Sequence, residues 1–338
     1  MVWKRKMTKK PYTFIDLFAG IGGFHLALKK EAECVFVSEW NEQARQTYLL
    51  NFGEEMLKNN IPFEADITNI DEKDVPNHTI LCGGFPCQPF SIAGLQKGFS
   101  HPTQGNLFFD IIRIVKEKKP RVLFLENVKN LKSHDKGNTF KVICETLEKE
   151  GYTIHHAILN GTIHGNVPQN RERIFLVCFK DKEDSAHFKF PSAIELKKTI
   201  NDIVDISQKK PEKYYQTNLD SPSVKKMVAS IQNKGSIYQY RRYYLRENKN
   251  GVCPTLTANM GMGGHNVPLL KDNYGIRKLT PKECILFQGF PKSYKLPAIS
   301  DSHLYKQAGN SVVVPVIERI AKNIIKALKK TDTEKQSI

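Results

Sequence analysis

What most constrains this chain is an alternation. Six short apolar runs, at 13–20, 33–40, 78–85, 121–128, 152–159 and 171–179, are separated by segments whose apolar residues recur at helical spacing. TFIDLFAG, ECVFVSEW, HTILCGGF, RVLFLENV, YTIHHAIL and RERIFLVCF read as buried strands, and GFHLALKKEA, NEQARQTYLLNF, NLFFDIIRIVKEKK and NTFKVICETLEKE read as helices. Strands that alternate with helices pair mostly in parallel and need cover on both faces. The expected class is therefore α/β, a doubly wound, mostly parallel sheet.

Beyond about residue 190 the pattern loosens into Lys-, Asn-, Gly- and Tyr-rich sequence with poor periodicity until Thr280, which implies a second, smaller and irregular module. Order then returns. Ile317, Ile320, Ala321, Ile324, Ile325 and Leu328 recur at three- and four-residue steps with lysines opposite, an amphipathic helix that needs a core to dock on. The expected organisation is a larger domain at 1–190 completed by 303–338, with the irregular module at 191–302 between them.

Charge bears on the partner. Lys+Arg number 51 against Asp+Glu 35, a formal net charge of +16, and residues 191–300 alone hold 18 basic against 8 acidic side chains. Such a surplus steers polyanions, although a solvated lysine surface carries the same total. Seven cysteines without a CxxC pair suggest neither a disulfide framework nor a thiolate zinc site. The expectation is a reducing cytoplasm and no metal. No signal-length apolar stretch follows MVWKRKMTKK, and no run approaches about 20 apolar residues, so neither export nor a membrane is expected.

Phe18, Ala19, Gly20, Gly22 and Gly23 form a glycine-rich turn between the first strand and a helix, where a ligand can approach bare backbone. Glu39 closes the second strand 23 residues beyond Asp16, the position from which an acid reaches a ribose hydroxyl, and Trp40 beside it can stack on an adenine. NAD and S-adenosyl-L-methionine both fit such a turn. Cys87 sits in Pro86-Cys87-Gln88-Pro89, just past the strand HTILCGGF, and so on the same rim. Prolines on both sides hold a thiol at a fixed angle, as a nucleophile requires. Cys34, Cys82, Cys144 and Cys178 lie in apolar runs that fit structural roles. Glu126 closes another strand toward that rim, and Arg171 and Arg173 alternate so as to face one side together, beside an anion or a carbonyl oxygen.

DLFAGIGG, SEW, GFPCQPFS, ENV, QNRER and QAGNSV, in this order and across nearly the whole chain, resemble the cytosine-C5 DNA methyltransferases. GFPCQPFSIAGLQKGF and LFLENVKNLKSHDKGNTF resemble the bacterial members that accompany restriction systems. The resemblance implies S-adenosyl-L-methionine as cofactor, S-adenosyl-L-homocysteine as product, double-stranded DNA as substrate and a cognate restriction endonuclease as functional partner. It makes Cys87 the nucleophile toward carbon 6 of cytosine, with Glu126 on the N3 and amino edge and Arg173, supported by Arg171, on the O2 side. For the cofactor it selects Phe18, Ala19, Gly20, Gly22, Gly23, Glu39, Trp40, Asp66, Ile67, Pro86, Leu107, Asn310 and Ser311.

A cytosine inside a duplex must be flipped out before such attack. By resemblance Gln88, Ser91 and the stretch 94–105, with Gly94, Gly98 and Gly105 as hinges, form the mobile active-site loop. The basic module then reads sequence: Arg241 and Arg242 in YQYRRYYLR interleave charge with aromatics, and Thr255 and Leu256 resemble the family's threonine-leucine element. Strand packing with a solvated outer face explains YQYRRYYLR as well. LTPKECILFQGFP resembles the helix that organises this module. A monomer is expected, since flipping one base in an asymmetric site needs no dimer.

Three other readings compete. The tRNA-methylating branch uses the same thiol chemistry but carries Cys-Phe-Thr, whereas Cys178-Phe179 here is followed by lysine. A silent DNA-binding scaffold has no need of Cys87, Glu126 and both arginines. An NAD dehydrogenase lacks its Ser-Tyr-Lys arrangement here.

Overall fold

The computed structural model describes residues 10–85, 107–215, 225, 229, 231–241, 244–262 and 266–337. Expectations that fall on Pro86, Cys87, Gln88, Ser91, Gly94, Gly98, Gly105 and Arg242 lie outside the described residues.

Seven strands form one sheet in the order β3-β2-β1-β4-β5-β7-β6. They are β1 (Thr13–Leu17), β2 (Glu33–Ser38), β3 (Phe63–Glu64), β4 (Ile80–Gly84), β5 (Val122–Val128), β6 (Thr153–Asn160) and β7 (Glu172–Phe179). The first five all run parallel to one another. β7 enters between β5 and β6 and runs antiparallel to both. The expected first strand, 13–20, stops at Leu17, because Phe18 and Gly20 both take φ +55, a left-handed geometry that ends pleating and is unusual for Phe.

Alternate strand residues serve the two faces. Phe14, Val37, Ile80, Phe124 and Val177 point into one core with helices α1 (Gly23–Leu28) and α2 (Glu42–Asn59). Ile15, Phe36, Leu81, Leu123 and Leu176 point into another beneath α3 (Leu107–Lys118) and α4 (Asn138–Lys149). Two shorter helices, α5 (Gly161–Gly165) and α6 (Lys182–His187), follow β6 and β7.

The C-terminal amphipathic helix docks on the first core, as its stripe requires. α9 (Val314–Gln336) runs longer than its apolar repeat, and Ile317, Ile320, Ala321, Ile324, Ile325 and Leu328 are all buried. Burying each Ile or Leu contributes about 1.5–3 kcal/mol before ordering entropy is subtracted.

The irregular stretch contains a second, four-stranded antiparallel sheet, β11-β10-β8-β9. Its strands are β8 (Tyr238–Arg241), β9 (Tyr244–Glu247), β10 (Leu269–Lys271) and β11 (Ile276–Lys278). Within YQYRRYYLR, β8 and β9 pair antiparallel. Helix α7 (Pro281–Phe287) opens on a capping box between Thr280 and Glu283. Arg277, fully buried, bonds the carboxylates of Asp272 and Glu283, tying the β10–β11 turn to this helix. Helix α8 (Asp301–Asn310) then leads back toward the large sheet.

Candidate active site

The carboxyl ends of β1, β2, β4 and β5 form one rim, where open α/β sheets bind ligands. Gly22 takes φ +77, and a Cβ there would lie 2.4 Å from Phe52 Cε2, so the turn after β1 presses directly on α2. Asp16 holds the turn from below. Its Oδ2 accepts the backbone N–H of His25, an otherwise orphaned donor in the first turn of α1. Burial pushes the Asp16 carboxyl up to about 8, against the pull of that N–H. Tyr294 adds a hydroxyl bond to the carbonyl of Ile21.

Glu39 stands at the end of β2 with Oε2 accepting the Gly20 N–H at 2.7 Å and Oε1 accepting the Asn41 N–H at 2.8 Å. Each oxygen keeps a lone pair for a further donor. Trp40 beside it is 76 % exposed, a bare aromatic face at the rim. Asp66 is exposed and accepts from the backbone and hydroxyl of Thr68 through Oδ1 alone. Ile67 is buried, and its carbonyl accepts from Arg113 of α3. At the start of α3, Leu107 is half-buried. Asn310 is exposed and Ser311 buried; a Cβ on Gly23 would lie 3.4 Å from Ser311 Oγ, so the segment after α8 closes on the glycine turn.

Glu126 is the register partner of Gly84 across β4–β5, and its Oε1 lies 3.0 Å from Arg173 Nε. Burial raises the Glu126 carboxyl above its ordinary range, while the guanidinium groups of Arg173 and then Arg171 oppose that. A buried carboxyl accepts hydrogen bonds when ionised and donates one when protonated. Asn127, which the sequence reading did not single out, bonds the Phe85 carbonyl through Nδ2 at 2.8 Å. It thereby fixes the last described residue before Pro86-Cys87. Arg113 and Asp16 were also missed as supports; both act on backbone, which leaves no pattern in a sequence.

The two arginines do not share one task. Arg171 precedes β7, so strand alternation does not govern it, and its guanidinium donates to the carbonyls of Leu256 (2.6 Å), Gly309 (2.9 Å) and Ser311 (2.5 Å). Arg173 alone of the two makes a bond to Glu126. Burial pushes the Arg171 guanidinium down to about 9, with the neighbouring Arg173 charge adding to this and Glu126 opposing, so it stays charged at neutral pH.

Thr255 is half-buried, its hydroxyl bonded to the Asn170 carbonyl at 2.6 Å. Leu256 corrects an expectation. It is 1 % exposed and part of the main core, so its side chain has no face to offer DNA; what it presents is a carbonyl to Arg171. Arg241 closes β8. Among the described residues no group of three His, Cys, Asp or Glu side chains is placed to hold a metal ion, and no helix is long and apolar enough to cross a membrane.

A parallel sheet with one reversed strand beside its edge, helices on both faces and a glycine turn under the rim is the architecture of Rossmann-like S-adenosylmethionine-dependent methyltransferases, here with a small antiparallel sheet added. Residues 12–326 match the family model of C-5 cytosine-specific DNA methylase, and the chain belongs to that family. It is 50 % identical over 315 residues to Type II methyltransferase M.Bsp6I of Bacillus sp. (strain RFL6), covering 93 % of this chain and 98 % of that one. With Type II methyltransferase M.HhaI of Haemophilus parahaemolyticus it shares 43 % identity over 325 residues, 92 % and 93 % of the two chains. Two solved structures share the fold at low identity. One is a Spodoptera frugiperda DNMT2 mutant, with TM-score 0.69, 20 % identity and 93 % and 99 % of the two chains covered. The other is a putative DNA modification methyltransferase of an E. coli prophage, with TM-score 0.65, 21 % identity and 94 % and 99 % covered.

Proposed function

We propose that this DNA cytosine-5-methyltransferase methylates one cytosine within a short specific duplex sequence, with S-adenosyl-L-methionine as donor, and protects that sequence from a cognate restriction endonuclease. The observation that carries the reading is the buried Glu126–Arg173 pair opposite the end of β4. Cys87 follows Gly84 by only three residues, a chain reach of about 10 Å.

The residues present fit the cofactor. Among the described residues four buried side-chain atoms have no partner, and three belong to the rim or its junction: Asp16 Oδ1, Gln307 Nε2 and Arg171 Nε. The donors left open on Gln307 and Arg171 suit the carboxylate of a zwitterionic amino acid, and its ammonium, by favouring the ionised form of Asp16, makes Oδ1 the matching acceptor. A Cβ on Gly20 would meet nothing within 4 Å, which leaves open space above the turn. On this reading Phe18, Ala19, Gly20, Gly22, Gly23, Asn310 and Ser311 hold the methionine end. Glu39 takes the ribose, and Trp40, Asp66, Ile67, Pro86 and Leu107 surround the adenine.

When bound, S-adenosyl-L-methionine supplies an electrophilic methyl group. The chain must make carbon 5 of cytosine nucleophilic. The Cys87 thiolate adds to carbon 6, breaking the 5,6 double bond and turning the ring into an enamine, while Glu126 holds a proton at N3 and accepts from the exocyclic amine. Arg173 stabilises charge at O2 and fixes the Glu126 carboxylate. After methylation of carbon 5, loss of its proton and elimination of Cys87 restore the aromatic ring. Gln88, Ser91, Arg241, Arg242 and Thr255 are the proposed DNA contacts. The enzyme acts as a monomer on the cell's own DNA in the cytoplasm.

Base-resolved bisulfite sequencing of unmethylated plasmid DNA, incubated with and without S-adenosyl-L-methionine, tests this. Protection of one cytosine in one recurrent short motif, only with cofactor, is expected. No protected cytosine despite cofactor binding would overturn it in favour of an RNA substrate or a silent scaffold.

A further inference from the structure

The buried guanidinium of Arg171 joins three stretches of chain that the proposed function assigns to different ligands. Leu256, whose carbonyl it holds, follows Thr255, a proposed DNA contact; Gly309 and Ser311 flank Asn310 on the cofactor side. Around this cation the segments interlock further. Gln169 accepts the Leu256 N–H through Oε1 and donates through Nε2 to the Phe287 carbonyl and to Gln288 Oε1. Gln288 in turn donates to the Ala308 carbonyl. Across the same junction Asn170 donates its N–H to the Cys253 carbonyl, and Cys253 donates its own to the Pro168 carbonyl. A Cβ on Gly309 would lie 2.1 Å from the Thr257 carbonyl carbon, so the two segments touch backbone to backbone.

This cation is held by neutral carbonyls, and its Nε has no partner. Moving either segment therefore strands a buried charged donor, which costs about 1–3 kcal/mol or more. A ligand that pins 309–311 pins the guanidinium, and with it the Leu256 carbonyl and the Thr255 hydroxyl.

We infer that Arg171 is a positioning residue that couples the two binding events: cofactor bound at Asn310 and Ser311 tightens the grip on DNA at Thr255, and DNA tightens cofactor binding by the same factor. Reciprocity follows from linkage between equilibrium affinities. The inference rests on the proposed DNA and cofactor roles of those segments.

The test uses S-adenosyl-L-homocysteine, which cannot react, and duplex DNA carrying the bisulfite-protected motif, or sheared plasmid DNA if none is protected. Four dissociation constants are measured for the whole chain: DNA with and without S-adenosyl-L-homocysteine, and the reverse. In the unmodified protein each ligand should improve the other's affinity at least about fivefold, the lower end of usual coupling. In Arg171→Met the coupling factor should fall to about 1, whatever happens to the separate affinities. Arg171→Lys, which keeps the charge but reaches fewer carbonyls, should fall between, and it carries the test if the methionine variant does not fold. A purely structural role would weaken both affinities and leave their ratio intact, and that result would overturn the inference. So would a coupling factor of 1 in the unmodified protein when both ligands bind. Failure to bind DNA at all would instead refute the proposed function.

Discussion

Asp16 lies under the glycine turn with its carboxyl fully buried, and its replacement by Asn gives a sharp prediction. Burial, which disfavours the charged form, pushes the native carboxyl up to about 8 from its ordinary 3.8. Between these values the folded protein holds a proton that the unfolded chain releases, so the group's contribution to stability falls as pH rises from about 4 to about 8. Each pH unit in that window costs about 1.4 kcal/mol, flattening near the native pKa, so from pH 6 to pH 8 the loss is about 2 kcal/mol. Asp16→Asn keeps the acceptor for the His25 N–H and removes the titration. The amide donor it adds takes the place of the acid's own O–H at Oδ1, which has no partner either, so that exchange leaves the pH dependence as the difference to be read. Urea unfolding of both proteins at pH 6 and pH 8 measures the difference. The variant should gain about 2 kcal/mol on the unmodified protein between the two pH values. Parallel pH dependence of the two proteins would refute the reasoning, because Asp16 would then be ionised in the native state.

Three further outcomes follow from the same geometry. Glu126→Gln, which removes the proton donor and the anionic partner of Arg173, should lower kcat by about 10²–10⁴-fold while leaving S-adenosyl-L-homocysteine affinity within about twofold, read by single-turnover methylation and calorimetry. Gly22→Ala must place a Cβ 2.4 Å from Phe52 in a left-handed backbone, and should cost about 2–5 kcal/mol in urea unfolding; a cost below about 0.5 kcal/mol would contradict the packing. Trp40 is one of two tryptophans and is largely exposed, so S-adenosyl-L-homocysteine should change the tryptophan emission, and Trp40→Phe should abolish that change.

The sheet was legible because buried parallel strands leave uninterrupted apolar runs, and α9 because its stripe recurs over three turns. Strand direction was less so: RERIFLVCF reads the same either way. Yet the short link from Asn160 to Glu172 is barely long enough for the crossover a parallel pair needs, and that signal does point to reversal. Of the small sheet, strand packing was one reading of YQYRRYYLR, where β8 and β9 lie, whereas β10 and β11 escaped because three residues are too few for periodicity to show. Thr255 and Leu256 illustrate the limit at the site. One motif suggested a shared role, whereas neighbouring residues in extended chain face opposite ways, one half-exposed and one into the core. Arg171 and Arg173 were expected side by side, but only Arg173 belongs to β7. Asn127 could not be read at all, since its partner is a backbone carbonyl distant in sequence.

The central claim is that the Cys87 thiolate adds to carbon 6 of the target cytosine. Replacing that cytosine by 5-fluorocytosine leaves no proton at carbon 5 to lose, so methylation should trap the enzyme on the DNA. Denaturing electrophoresis, followed by mass spectrometry of the linked peptide, reads the result directly. The conjugate should need S-adenosyl-L-methionine, map to the peptide containing Cys87 and vanish in Cys87→Ser. A conjugate that persists in Cys87→Ser, or none in an enzyme that methylates the unmodified duplex, would contradict that claim.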